Sequence, residues 1–279
     1  MKKNILIIVS LVLLMFSYGF ADVSFHGSYK DPDTALIKNT YKAVLPNLDF
    51  AQADRIAQNI WGLTGESLVL DEQAAEGDFQ VYKTIDNSAI CRIDRQTGDV
   101  FYRKYNKFEG SAPGLPSKGK AKGIAQRYLM TLGLYKNEMG NAVINTLNEA
   151  VYDGQMTRTF EKMRVVTFTR KLDGIPVRGA SRAAVMLGAN GELQGLVVRW
   201  MDVTTETFKS KVSKSQLKSH LKRNLKARQI ESDVVIKKAD LIIFDDGKGT
   251  MEPMLHLEGD VVTTEGNFFS DWMVPVIEK

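Results

Sequence analysis

The chain has 279 residues, 44% apolar and 25% charged, a balance that supports a folded core and excludes a low-complexity or disordered chain. Its 37 basic and 33 acidic residues leave a formal charge of +4, too small to imply a nucleic-acid partner. A single cysteine, Cys91, excludes an intramolecular disulfide and any zinc site built on several thiolates.

Lys2 and Lys3 precede an almost uninterrupted apolar run from Ile5 to Phe16, and Gly19 and Ala21 fill the small-residue positions a signal peptidase needs. Residues 1–21 are therefore expected to be a secretory signal peptide, cleaved between Ala21 and Asp22. The run is short for a membrane span of ~20 residues, and no cysteine follows it to carry a lipid. Loss of Lys2 and Lys3 leaves 35 basic against 33 acidic residues, so the mature protein is nearly neutral. The expected location is periplasmic or extracellular.

Residues 22–48 form an irregular lead-in with helical potential from Thr34 to Val44, closed by Pro46. Asp49 then opens a helix, with Gln52 as its capping-box partner and Ala53, Ile56, Ala57 and Ile60 on one face. Strands are expected at Ser67 to Leu70, Phe79 to Thr84, Ala89 to Asp94 and Asp99 to Tyr105, the last two joined by a tight turn at Gln96 to Asp99. Cys91, inside one of these alternating runs, reads as a buried structural thiol. The stretch EGSAPGLPS concentrates Pro, Gly and Ser, and residues 111–116 within it are expected to be a linker.

A second helix spans about Ser117 to Leu132, and Ile144 to Tyr152 reads as a strand. Residues 165–200 alternate apolar and polar side chains in three runs, with turns at Asp173-Gly174 and Asn190-Gly191, and predict an antiparallel meander. Ser213 and Gln216 form a second capping box, and Leu217, Leu221 and Leu225 mark one face of a third helix. Strands follow at Val234 to Phe244, Met251 to Leu257 and Trp272 to Ile277. Helix followed by sheet thus recurs three times, and the expected fold class is α+β: tandem modules of a helix packed on an antiparallel β-sheet. The expected domains are a signal peptide (1–21), an N-terminal module (22–110), a linker (111–116), a central module (117–208) and a C-terminal module (209–279).

The chemistry is sparse. His26, His220 and His256 lie in separate segments outside any HExxH-type spacing, and no GxSxG elbow or phosphate-binding loop is present. His256 alternates within a strand and reads as a satisfied or solvated side chain. No catalytic residue, metal ligand or cofactor is expected. Between Lys209 and Arg228 there are eight basic residues and no acid. With the leucines on one face, Lys214, Lys218, Lys222, Arg223 and Lys226 crowd the others and offer a surface for anionic lipid or wall polymer.

Phe168, the run Gly174-Ile175-Pro176-Val177-Arg178-Gly179 and the turn Asn190-Gly191-Glu192-Leu193 resemble the PepSY and fungalysin/thermolysin-propeptide (FTP) superfamily. Arg92 to Val100 is similar to the strand-turn-strand of a PepSY unit, and Glu252-Pro253 with Trp272 to Val276 is similar to the ends of related exported proteins. The resemblance implies helix-on-sheet modules and a non-catalytic role in holding, inhibiting or chaperoning a protease, or in regulating an envelope protein. No metallopeptidase domain follows in this chain, so such a partner is expected in trans.

The sequence is expected to encode an exported, non-enzymatic protein-binding chain that modulates or inhibits a protease or another envelope protein. Its contact would be a sheet edge or the turn formed by Asp173, Gly174, Ile175, Pro176, Val177 and Gly179. The alternatives are an envelope adapter that touches membrane or anionic wall polymer through residues 209–228, and a hydrolase of non-standard type.

Overall fold

The computed structural model describes residues 23–26, 30–105, 110–152, 154–208, 210–227 and 232–278. The chain opens with β1 (Val23–Phe25), β2 (Thr40–Val44), α1 (Phe50–Thr64), β3 (Val69–Leu70), β4 (Phe79–Lys83), β5 (Ala89–Asp94) and β6 (Val100–Lys104). Next come α2 (Lys118–Thr131), β7 (Asn141–Tyr152), β8 (Thr157–Thr169), β9 (Lys171–Leu172), β10 (Ile175–Gly179), β11 (Arg182–Leu187), β12 (Leu193–Arg199) and β13 (Asp202–Glu206). The last part holds β14 (Ser210–Lys211), α3 (Lys214–Ala227), β15 (Asp233–Asp245), β16 (Thr250–Thr263), β17 (Gly266–Pro275) and β18 (Ile277–Glu278). Two units emerge. The larger comprises residues 39–206 and 243–252, and the smaller comprises residues up to 38, 207–242 and 253–279.

In the larger unit one antiparallel sheet runs in the order β3-β4-β5-β6-β12-β11-β8-β7. Helices α1 and α2 cover one face of it. Ala53, Ala57 and Ile60 from α1 and Ala121, Ala125 and Leu129 from α2 pack against Tyr82, Cys91, Ile93, Tyr102, Phe168, Val185 and Leu196. The alanines let both helices approach the sheet closely. Helix α1 starts where the sequence places it: the Asp49 carboxylate accepts from Gln52 N at 2.7 Å, and the Gln52 side chain accepts from Asp49 N at 2.8 Å. Gly65, in the left-handed region, ends it. The Tyr82 hydroxyl, donating to Asp54 on α1 at 2.5 Å, ties helix to sheet.

Several expectations are overturned here. The fold class is mostly β, with 48% of the described residues in strands and 20% in helices, and not a tandem of helix-on-sheet modules. The physical reason is long-range strand pairing. Val100 of β6 registers with Val198 of β12, so strands from both sides of residues 111–116 join one sheet over one core. Residues 111–116 do not run free either. Ala112 N donates to Glu161 O at 2.8 Å, Asn190 N to Pro113 O at 3.0 Å and Arg164 Nε to Pro116 O at 3.0 Å. Gly114 sits so close to Asn190 that a Cβ there would lie 2.1 Å from its side-chain oxygen. Thr34 to Val44 is a single 3-10 turn followed by β2, whose Tyr41 and Ala43 are buried and whose residues 40–44 pair with β13.

The meander of residues 165–200 is present, with β11 paired to β8 on one side and β12 on the other. Its first connection is longer than a tight turn. The chain leaves β8, forms the hairpin β9–β10, and lays Val177 to Gly179 parallel to Ile243 to Asp245 before returning as β11.

The smaller unit is built from separated segments. Strand β1 pairs in parallel with β15, Val23 opposite Val234. Strands β16 and β17 form a hairpin with ten residue pairs, from Met254–Pro275 to Thr263–Gly266. Helix α3 packs on β17 and β1, burying Leu217, Leu221 and Leu225, and Trp272 is buried on β17. Ser213 and Gln216 make the expected capping box at its start. Strand β17 begins six residues before the expected Trp272, because residues 266–271 extend the hairpin.

Cys91 is fully buried, and that burial pushes its thiol up to about 12. At neutral pH it stays protonated and unreactive. Ellman's reagent is expected to leave the native protein unlabelled and to titrate one thiol per chain after denaturation; rapid native labelling would contradict the burial.

Candidate functional site

The 173–179 turn is consumed by the fold. Asp173 and Gly174 both have positive φ, 50° and 84°, and close the β9–β10 hairpin. The Asp173 carboxylate accepts from the Tyr41 hydroxyl at 2.6 Å and from Asn39 Nδ2 at 3.1 Å. Ile175 and Val177 are buried, and Gly179 lies against Asp245. Only Pro176 and Arg178 of β10 project as exposed side chains.

The basic residues of α3 are not a uniform solvated face. Arg223 and Lys226 are exposed, while Lys218 and Lys222 are partly buried. Lys218, Lys222 and Lys226 each interact with another group of the chain. The Lys214 side chain, Lys209, Arg228 and the cleavage pair Ala21 and Asp22 lie outside the described residues. No helix among the described residues is long and apolar enough to cross a membrane.

Two features of the larger unit were not visible in sequence. The first is a concavity of about 500 Å³ on the sheet, lined by Phe79, Arg92, Phe101, Arg182, Arg199 and Asp99 among others. Arg92 stacks over the Phe79 ring at 3.8 Å, and Arg199 pairs with Asp99. Arg182 registers opposite Arg199 across β11 and β12, two like charges side by side. Burial pushes the Asp99 carboxyl up, more than Arg199 draws it down, and one of its oxygens has no hydrogen-bond partner among the described residues. Such a lining suits acidic or aromatic groups of a ligand.

The second is the edge strand β7. It ends the eight-stranded sheet, so its outer backbone groups face no further strand among the described residues. It pairs with β8 from Asn141–Thr169 to Tyr152–Thr157, with a bulge after Leu147. Ala142 and Ile144 pack inward, while Val143, Leu147, Val151 and Tyr152 are exposed. The hairpin is braced: Arg164 reaches Thr146, Glu161 and the Pro116 carbonyl, and Lys162 pairs with Glu149 at 2.6 Å. Edge strands are usually guarded by lysine or proline, and the run NAVINTLNEAVY contains neither. That composition was the available signal, but the edge position comes from the topology.

No family model matches the chain, and no curated protein is similar to it. Among solved structures, it is similar to an uncharacterized protein from Eubacterium rectale ATCC 33656, with 10% identity and a TM-score of 0.49 over 92% of this chain and 86% of that one. It is also similar to the Bacillus megaterium YpeB C-terminal domain, with 16% identity and a TM-score of 0.42 over 84% of this chain and 96% of that one.

Proposed function

We propose that this is an exported, non-catalytic binding protein that holds an extended segment of a protein partner in trans by adding it as a strand to β7. The observation that carries the reading is the open edge of β7, twelve residues long, with Val143, Leu147, Val151 and Tyr152 exposed along it. An added strand would gain backbone hydrogen bonds from the edge and specificity from pockets between alternate side chains. The partner class favoured is an envelope protein, with exported proteases foremost, as the sequence resemblance implies. The bracing of the hairpin by Arg164 and Lys162 keeps the edge in one shape, which lowers the ordering cost of binding.

The test uses the full chain and the exported proteases and other envelope proteins of the producing cell. Wild-type protein should bind at least one of them, by complex formation or inhibition. Val143→Lys with Asn145→Lys, both on exposed positions of the edge strand, should weaken that binding at least tenfold with an unchanged thermal midpoint. Binding that survives these lysines would move the site elsewhere. Absence of any protein partner for the wild type would defeat the reading altogether.

A further inference from the structure

Four ionisable side chains converge on three neighbouring strands of the smaller unit. Asp240 lies on β15, His256 and Glu258 lie two apart on β16 and so share a face, and Asp271 on β17 registers opposite Glu258. His256 is 7% exposed, among the few buried polar residues of the described chain. Its Nε2 lies 2.8 Å from Asp271 Oδ2. An ionised carboxylate can only accept, so Nε2 carries a proton, which Nδ1 of the neutral ring then lacks. Nδ1 is buried without a hydrogen-bond partner among the described residues. Glu258 Oε1 is 3.8 Å from it, too far for a hydrogen bond. One donor atom each from Asp240, His256 and Glu258 lie within 4.8 Å of one another.

A buried imidazole nitrogen without a hydrogen-bond partner is costly, and a cation held between it and the two carboxylates would remove that cost. We propose that the smaller unit binds one divalent transition-metal ion, Zn²⁺ foremost, through His256 Nδ1, Glu258 and Asp240, with Asp271 as the positioning residue of the imidazole. Ligand atoms around such an ion lie roughly 3.4 Å apart when metal–ligand bonds are about 2.1 Å, so modest rotation of the two acidic side chains closes the set. One imidazole with two carboxylates suits Zn²⁺ or Mn²⁺ rather than Ca²⁺ or Mg²⁺, which favour oxygen alone. The hydrogen bond from the far ring nitrogen to Asp271 is the outer contact that metal-binding histidines ordinarily make.

Lys238 is the competitor. Its ammonium lies 2.6 Å from Asp240 Oδ2 and 3.4 Å from Glu258 Oε1, bridging the two acids that would ligate the ion. Its side chain is 54% exposed, so it can swing into solvent as the metal enters. The bound ion would tie β15 to β16, with β17 joined through the Asp271–His256 hydrogen bond. This proposal is independent of the β7 edge.

The experiment titrates chelator-treated full-length mature chain with ZnCl₂ and, separately, MnCl₂ by calorimetry, and follows the thermal midpoint in parallel. One Zn²⁺ per chain and a raised midpoint are expected. His256→Asn should abolish the binding, and Asp271→Asn should weaken it roughly 10–100-fold. Lys238→Met should tighten it, which a role for the acids confined to pairing that lysine would not produce. His26→Asn and His220→Asn should leave it unchanged. Should His256→Asn fail to fold, the opposed shifts of Asp271→Asn and Lys238→Met decide the matter alone. No stoichiometric ion in the wild type, or equal binding by His256→Asn, overturns the site.

Discussion

Gly179→Ala should destabilise the larger unit by about 3 kcal/mol or more, read from the urea midpoint at constant slope. Two causes add at this position. Its φ is +106°, where L-residues are strained, and an added Cβ would lie 2.2 Å from the Asp245 carbonyl oxygen. That contact is with backbone, so no side-chain rotation relieves it. The displaced segment would also disturb the parallel pairing of Val177 to Gly179 with Ile243 to Asp245. Asp245 is itself fixed nearby, accepting from Ser181 Oγ at 2.6 Å and Gly247 N at 2.8 Å. Gly174→Ala is the control. Its φ is +84°, but nothing lies within 4 Å of the new Cβ, so dihedral strain alone should cost about 1–2 kcal/mol. Equal losses at the two glycines would show that close approach is not what demands glycine at 179.

Glu138→Ala should cost about 3 kcal/mol, because it strips the counter-charge from a buried guanidinium. Arg170 is 1% exposed, with Nη1 donating to Met201 O at 2.8 Å and the guanidinium 5.3 Å from the Trp200 ring centre. Its Nε lies 3.0 Å from Glu138 Oε2, an ion pair without hydrogen-bond alignment. Nη2 has no partner among the described residues. Glu138 is 45% exposed, so the figure sits at the lower end of the range for broken buried pairs. Arg170→Met replaces the cation by an apolar chain of similar reach, and should be near neutral or stabilising. Combining the two changes should recover most of the loss of Glu138→Ala. A double mutant whose loss equals the sum of the single effects would mean that the two side chains do not interact.

Arg170 also shows how far the sequence could be read. Its parity with Val166 and Phe168 places it on the buried face, which alternation reports correctly. What alternation cannot report is that Glu138, Trp200 and Met201, far away in sequence, make a buried arginine tolerable. The same divide runs through the fold. The capping boxes of Asp49 and Ser213, the leucines of α3 and the turns at Gly98, Gly174 and Asn190-Gly191 are local chemistry and were legible. The pairing of β6 with β12 is a long-range choice between strands of similar composition, and no short window encodes it. The Pro/Gly-rich composition of residues 111–116 marks irregular backbone, and it cannot report that this backbone is hydrogen-bonded to Glu161 and Asn190. His256 looked inert because its neighbours Asp240 and Asp271 come from other strands.

The parallel pairing of β1 with β15 sets an order of assembly. Ser24 Oγ donates to Val234 O across 210 residues, so the first described strand must wait for nearly the whole chain before it finds its place. The residues between 39 and 206 supply most of the larger unit as one contiguous stretch, whereas the smaller unit draws on three. A chain delivered from its N-terminus, on the ribosome or through a translocation pore, would thus carry β1 as an unpaired, apolar-bearing strand while most of the larger unit forms behind it. The loop-closure entropy of that last pairing favours slow completion. Ending the chain before β15 should hold it at that stage, with the meander of residues 165–200 folded and Val23 to Phe25 still open to a chaperone or to another copy.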